Sequence, residues 1–552
     1  MNSRVAQTRL TNFTPQDHFL LCVLFLTPTI FFRFQDHHDG YVLQTSRFFV
    51  SALKGDLDYP FSQYGPLWSG LLGLIGFFSP NNLQLLGIRF FSVAAIATSL
   101  AISAKIFYLV SERRMPISLT MAVISSWYFF GPYYGWPSIF ILPFVSLLSL
   151  RMCQVLKGIK PSGASIYLIG ILIGLTQLAR VQIGILLLIS MILVFFIFLE
   201  RSAIFKLLIG YFTSLLLAAL TLASFGLLQD AIYDQYFFGL KYHISADRGS
   251  TRIPIWTIAI GLLTWVIIAN FQKQGRRLKL AFIGAGIVIS VLTLLIIEIL
   301  ISSDFLNFLH WRVIQRAYVG ITLGMVFYLL ASVINSVSSK QKRAALKRNP
   351  DELMRMILTI IALCVFSQIY PLFASHHSWY ASVPLLLAFV LRFKVQSEEI
   401  SLPIQNRSSG ILLILVLSYF LSWNMTNIIS HEKAPINQFV LVDSVESESL
   451  MLWKRFADKW IPVDSSVHNL CPDSTIFVVR RDLVPASRNY LWWNNFDKFS
   501  DYTDALQRPA NFVLACNVEA PEISRNLTLE NYELVDSFEN ISRVDLYSLK
   551  TS

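Results

Sequence analysis

The sequence predicts an all-α, polytopic membrane protein of about thirteen spanning helices, followed by a small extracytoplasmic α/β domain. Three observations predict it. Of 552 residues, 54% are hydrophobic and only 14% are charged, whereas a soluble chain carries about a quarter charged residues. Apolar runs of roughly 17–25 residues, enough to cross hydrocarbon as a helix, recur along the first 430 positions. The charge is also divided. Residues 431–552 hold 12 Lys and Arg against 18 Asp and Glu, so the net +11 comes from the membrane part. Positive charge in short loops orients spans and calls for no nucleic acid.

Taken in order, the run from Phe19 to Phe34 has no small-residue cleavage site and reads as a retained first helix. An outer loop, 35–87, follows. Within it the Gly-rich run 67–79 is too short to span and reads as a helix lying in the interface. Further spans are expected at about 88–110, 117–134, 138–155, 164–179, 181–199, 207–228, 254–271, 280–301, 317–338, 356–371, 380–394 and 409–428. This assignment gathers the basic loops on one side, with Arg4 and Arg9. They are "SERRMP", "RMCQVLKGIK", "ERSAIFK", "KQGRRLK", the stretch to Arg355, and "LRFKVQ" onward to Arg407. The positive-inside rule makes that side cytoplasmic. Facing outward are 35–87, the "GPYYGWPS" turn, the Arg180 break, 229–253, 302–316, "YPLFASHHSWY" and the tail.

The tail, 431–552, is separate from the transmembrane domain, 1–430. Its segments "STIFVVRR", "ANFVLACNV" and "SRVDLYSL" read as short strands between helix-compatible stretches. Cys471 and Cys516 are its only cysteines, and an oxidising compartment would allow them to pair. Asn424, Asn526 and Asn540 begin N-x-S/T sequons, which matter only in a eukaryotic host.

Chemistry concentrates in the first outer loop, "FRFQDHHDGYVLQTSRFFVSALKGDLDYPFSQYGPLW", where Asp36, His37, His38 and Asp39 stand side by side. Charges this dense at the edge of a membrane are costly and usually functional. The ligand types admit a divalent metal, with His376 and His377 as further ligands. Adjacent residues point in different directions, however, so few neighbours could share one ion. Arg180, Lys241, Arg248, Arg252, Arg312 and Arg316 lie on the side where positive charge is scarce. They read either as solvated loop residues or as a cradle for a phosphate. The aromatic run "WYFFGPYYGWP" reads as an interfacial belt rather than a sugar-stacking platform.

An acidic residue past the first helix, then Gly-Tyr, "SRFFVSALKGD", Tyr-Pro and "QYGPLW" resemble the GT-C superfamily of polyprenyl-phosphate-sugar glycosyltransferases. Its relatives include protein O-mannosyltransferases and aminoarabinose transferases. The likeness is one of loop and span order over about 18–430. "NNLQLLGIRFFSVAAIATSLAISAKIFYLVSERR", "GLTQLARVQIGI" and "QIYPLFASHHSWYASVPLLL" are similar to the family's later segments. The resemblance implies a GT-C fold and transfer of a sugar from a lipid phosphate to an acceptor hydroxyl on the outer face. Asp39, directly before Gly40, would be the general base and Asp36 the second choice. His37, His38, His376, His377 and the outer basic residues would contact substrate. A carboxylate near apolar surface suits the base, and Arg or Lys suits the departing phosphate. Many relatives carry a second acid in the loop after the third span. This chain has "YFFGPYYGWPS" there, so either Asp36 supplies that acid or one base suffices.

The implied partners are a polyprenyl-phosphate-linked sugar, a glycan, lipid or protein acceptor, and membrane lipids. The implied location is a plasma or inner membrane with the N-terminus cytoplasmic. Two rivals are a multi-span lipid or solute transporter or flippase, and an O-antigen polymerase-like enzyme. The first would show internal repeats and ionisable residues at the midplane; the second would show a large late outer loop. This chain shows no repeat, keeps its ionisable residues in outer loops, and has a charged first outer loop; both readings stay as alternatives.

Overall fold

The computed structural model describes residues 13–33, 39–53, 64–79, 83–130, 134–158, 163–232, 236, 255–271, 315–369, 379–394, 424–425, 428–471, 475–485, 510–516, 532–539 and 543–550. The membrane part is a bundle of helices. Helix α1 (Pro15–Leu26) starts at a Thr14–Asp17 capping box, which satisfies two backbone donors reciprocally. It tightens into a 3₁₀ turn over Thr27–Phe31. Helices α2 (Asp39–Leu53) and α3 (Pro66–Phe78) form the first loop. The bundle continues with α4 (Gln84–Ser111), α5 (Ile117–Phe130), α6 (Pro137–Phe140), α7 (Leu142–Leu156), α8 (Gly163–Ala179), α9 (Val181–Phe198) and α10 (Arg201–Ser224). After the short α11 (Leu228–Ile232) come α12 (Ile255–Phe271), α13 (Gln315–Val337), α14 (Lys340–Arg348), α15 (Pro350–Phe366) and α16 (Ser382–Lys394).

Among the described residues, five helices are long and apolar enough to cross a membrane: Gln84–Ser111, Pro137–Leu156, Val181–Phe198, Arg201–Ser224 and Val319–Val337. Others fall short in length, α3 and α8 among them. The expected span 280–301 and most of 409–428 lie outside the described residues. Large apolar side chains such as Phe212, Leu216 and Leu220 on α10 face outward, the kind of surface that lipid or a partner covers. Inside, α8 and α10 touch backbone to backbone, with Gly170 against Leu207 and Gly210 against Tyr167. Small residues at such crossings let helices approach closely without a hydrophobic driving force.

Charged side chains sort to the two ends of the bundle. At one end Lys157 pairs with Glu112 at 3.5 Å and Asp351 at 3.9 Å, drawing together three loops expected on the cytoplasmic side. Beside them Arg392 binds Glu352 at 2.6 Å and the hydroxyls of Ser332 and Ser336 at 2.7 Å each. At the other end lie the first loop, the turn around Gly135 and the Arg180 break.

The tail contains a hairpin, β1 (Glu432–Ala434) and β2 (Asn437–Val442), helix α17 (Ser444–Trp460), and strand β3 (Ser466–Asn469). Helix α18 (Thr475–Val479) and strands β4 (Val484–Pro485), β5 (Phe512–Cys516), β6 (Tyr532–Glu539) and β7 (Arg543–Leu549) follow. A five-stranded sheet runs in the order β4-β3-β5-β7-β6, with β3 parallel to β4 and β5 and the other pairs antiparallel. The strands expected in "ANFVLACNV" and "SRVDLYSL" are β5 and β7. "STIFVVRR" is not a strand: its Thr475–Val479 forms a short helix with every residue buried. A five-residue apolar run has no period to separate strand from helix, and here packing against α17 and α2 decides. Cys471 is disulfide-bonded; the Cys516 side chain lies outside the described residues.

The tail sits on the first loop. The Arg33 N–H donates to the Leu441 carbonyl at 2.8 Å, and Phe32 bridges to Leu441 in parallel. Arg47, on α2, donates to the carbonyls of Asp482 at 2.9 Å and Leu483 at 3.3 Å. Burial of Arg47 pulls its pKa below the usual guanidinium value, opposed by Asp464 and Asp482.

Candidate active site

The site is built where α2, α4, the Gly135 turn and the α8–α9 break meet. Asp39 opens α2, a position where unpaired N–H groups favour a carboxylate. It is 1% exposed, and its Oδ2 is 2.6 Å from Nη2 of Arg89. Arg89 stands in the second turn of α4 and is itself 2% exposed. Its Nη2 also donates to the Arg33 carbonyl at 2.6 Å. Its Nη1 donates to the carbonyls of Ile30 at 2.6 Å and Phe32 at 3.4 Å. One guanidinium therefore caps the end of the first helix and holds the carboxylate. Asp39 does not sit on an apolar wall alone, as the sequence suggests; a cation completes its surroundings.

Arg33 has φ +56°, in the left-handed region that a non-glycine residue rarely adopts. Such a residue costs about 1–3 kcal/mol and persists where its surroundings over-determine it. Here the Leu441 carbonyl takes its N–H and Arg89 takes its carbonyl.

Beyond Asp39 lies a cluster of buried rings. Tyr41 stacks on Trp68 with centroids 5.7 Å apart. Tyr64 meets Trp68 and Trp136 edge-on at 5.2 Å and 5.1 Å. The Trp68 indole N–H donates to the Gly135 carbonyl at 2.7 Å, and the Gly135 N–H donates to Ser92 Oγ at 2.8 Å. Gly135 is required twice over. Its φ is +79°, and a Cβ there would lie 2.7 Å from Val42 and 2.9 Å from Ile88. Tyr134 and Trp136 are thus core residues, which corrects the interfacial-belt expectation for this turn. Composition marks a belt; only tertiary contact distinguishes one from a core.

Arg180 lies at the far side of the cluster. It ends α8 and caps α9, its N–H donating to the Thr176 carbonyl at 2.7 Å and its carbonyl accepting from Gly184 at 3.2 Å. The motif "QYGPLW" docks beside it, the Gly65 N–H donating to the Ala179 carbonyl at 3.3 Å. The Arg180 guanidinium lies over the Tyr64 ring, 4.9 Å from its centroid. The residue is 9% exposed, makes no ion pair among the described residues, and its Nε has no hydrogen-bond partner there. A buried guanidinium with unused donors is costly unless an anion completes it.

Of the residues picked from sequence, Asp39 heads the helix that carries Tyr41, and Arg180 lies over Tyr64 of the same ring cluster. Asp36, His37, His38, Lys241, Arg248, Arg252, Arg312, His376 and His377 lie outside the described residues, and Arg316 is placed only as part of α13's first turn. Among the described residues no group of three His, Cys, Asp or Glu side chains could hold a metal. The one described candidate ligand, Asp39, faces the Arg89 guanidinium. Sequence reading missed Arg89 and the ring cluster. The signal for Arg89 was there: an arginine in the first turns of an apolar helix at its outer end is expensive unless paired.

No protein-family model matches this sequence, and no curated protein matches it. Among solved structures the chain is similar to the oligosaccharyltransferase of Archaeoglobus fulgidus in complex with Zn and sulfate. Identity is 12% and the TM-score 0.44, over 96% of this chain and 73% of that one. It is similar to the same organism's AglB with an inhibitory peptide and a dolichol-phosphate, at 12% identity and TM-score 0.43, over 97% and 74%. It is also similar to ArnT from Cupriavidus metallidurans bound to undecaprenyl phosphate, at 12% identity and TM-score 0.40, over 96% and 97%. Likeness at this level assigns no role to any residue of this chain.

Proposed function

We propose that this protein is an integral membrane glycosyltransferase that moves a sugar from a polyprenyl-phosphate carrier to an acceptor hydroxyl on the outer face. The observation that carries the reading is the pairing of chemistry across the ring cluster. A buried carboxylate opens the helix that carries Tyr41, and a buried guanidinium with no ion pair among the described residues lies over Tyr64. The reaction needs both. The acceptor oxygen attacks the anomeric carbon and gives its proton to Asp39. The bond from that carbon to the phosphate oxygen breaks, and the lipid phosphate leaves with the electron pair, its charge met by Arg180. Arg248, Arg252, Arg312, Arg316 and Lys241 would share that duty from the outer loops, with Asp36 and the four histidines contacting substrate.

The topology of about thirteen spans, with the tail a separate extracytoplasmic domain over 431–552, belongs to the same reading. Two features support it. The tail pairs with Phe32, Arg33 and Arg47, so it shares a side with the first loop, as an odd number of crossings requires. The Cys471 disulfide suits an oxidising compartment. The test is Asp39→Asn in purified protein supplied with a polyprenyl-phosphate sugar and an acceptor. Loss of a general base removes about 10²–10⁴-fold in rate, while donor binding should persist. Transfer at the wild-type rate would overturn the reading.

A further inference from the structure

The end of the first helix and the start of α2 are held by one side chain. Nη2 of Arg89 binds both the Arg33 carbonyl and Asp39 Oδ2, each at 2.6 Å, so Arg33 and Asp39 meet on a single nitrogen. Nη1 adds the carbonyls of Ile30 and Phe32, at the end of the first helix. The left-handed backbone of Arg33 is clasped from two sides, by Arg89 and by strand β2 of the tail. A residue needed only to cap the first helix would use carbonyls alone. Here the planar fork is shared between backbone and carboxylate, which only an arginine can do.

We propose that Arg89 is a positioning residue for transfer: it fixes the direction and distance of the Asp39 carboxylate and does not touch the donor. The proposal rests on the reading of Asp39 as the base. Misplacing a reacting group by about an ångström slows a reaction on the order of 100-fold. Arg89 also carries a cation, but both of its terminal nitrogens are already occupied, whereas the Arg180 guanidinium makes no ion pair among the described residues. A positioning residue changes kcat, whereas a phosphate ligand changes donor KM.

The experiment is a double-mutant cycle on the full chain in detergent, with a polyprenyl-phosphate sugar as donor. Asp39→Asn, Arg89→Gln, Arg89→Lys and Asp39→Asn/Arg89→Gln are compared for kcat, donor KM and melting. The expected result is a kcat loss on the order of 10–100-fold in Arg89→Gln with donor KM essentially unchanged. Arg89→Lys, which keeps the charge and loses the fork, should recover only part of that loss. It carries the same comparison if the Gln variant fails to insert. In the Asp39→Asn background Arg89→Gln should cost nothing further, because its effect acts through the missing base. An equal fold-loss in both backgrounds, or a raised donor KM at unchanged kcat, would overturn the proposal while leaving Asp39 as the base. A wild-type rate in Asp39→Asn would instead remove the base itself, and Arg89's role with it.

Discussion

The two ends of the helix bundle treat a buried arginine in opposite ways. At the end expected to face the cytoplasm, Arg392 is 8% exposed and every nitrogen has a partner: Nε binds Ser332, Nη1 binds Glu352 and Nη2 binds Ser336. At the other end Arg180 is equally buried but rests on a ring, with Nε lacking a partner among the described residues. Arg89 lies between these cases, its two terminal nitrogens occupied and Nε without a partner among the described residues. The difference separates two uses of one side chain. A guanidinium whose donors are all taken ties helices together; in the proposed reading, one with donors to spare receives the anion.

That contrast can be broken by exchanging readouts. Arg180→Gln should lose transfer by about 1.5–3 kcal/mol, the worth of a charge-assisted hydrogen bond to a departing phosphate, with melting unchanged. Arg392→Gln should do the reverse, keeping turnover per folded molecule. It should lower stability by roughly 1–3 kcal/mol, less than for a fully buried pair because Glu352 is 32% exposed. Reduced turnover in the second variant, or reduced melting in the first, would erase the distinction. Trp68→Phe keeps the ring stacked on Tyr41 but removes the bond to the Gly135 carbonyl, and should cost about 1 kcal/mol of stability. A larger loss would mean that the indole does more than hold the turn.

The smallest effect is in the tail. Hydrogen bonding from Arg480 holds the Asp482 carboxyl below its usual range, partly opposed by burial. A depressed folded value stabilises above the ordinary aspartate pKa of about 4 and is lost as the pH falls through that range. Unfolding of the tail, followed by tryptophan fluorescence, should therefore be flat from pH 7 to about 5 and weaken below about 4. Asp482→Asn should flatten the acid limb. An unaltered limb would shift the cause to another carboxylate, such as Asp536, which Ser537 and Trp460 hold below its usual range in the same way.

Much of the helical frame was readable because apolar length is a strong signal, and α4, α9 and α10 fall close to their expected spans. Asp39 was readable because it directly precedes Gly-Tyr at the head of a helix-forming stretch. Arg180 was singled out because positive charge is scarce on the side expected to face outward. Arg89 was hidden by its own segment: "LLGIRFFS" scores as hydrocarbon, and the carbonyls it binds come from 56–59 residues away. The rings of Tyr41, Tyr64, Trp68 and Trp136 come from three separate stretches, and no local pattern announces a contact of that kind. "STIFVVRR" failed for a different reason, since five buried residues carry no periodicity and the neighbour decides their form.

One measurement tests the contrast between the two ends most directly: a structure of the purified protein with polyprenyl phosphate bound. The phosphate should lie against Arg180, with guanidinium nitrogens about 2.7–2.9 Å from its oxygens, beside Tyr64 and on the side of the cluster away from Arg89. A phosphate seated against Arg392, or bound in full while Arg180 stays on its ring alone, would contradict the reading of the outer end as the transfer site.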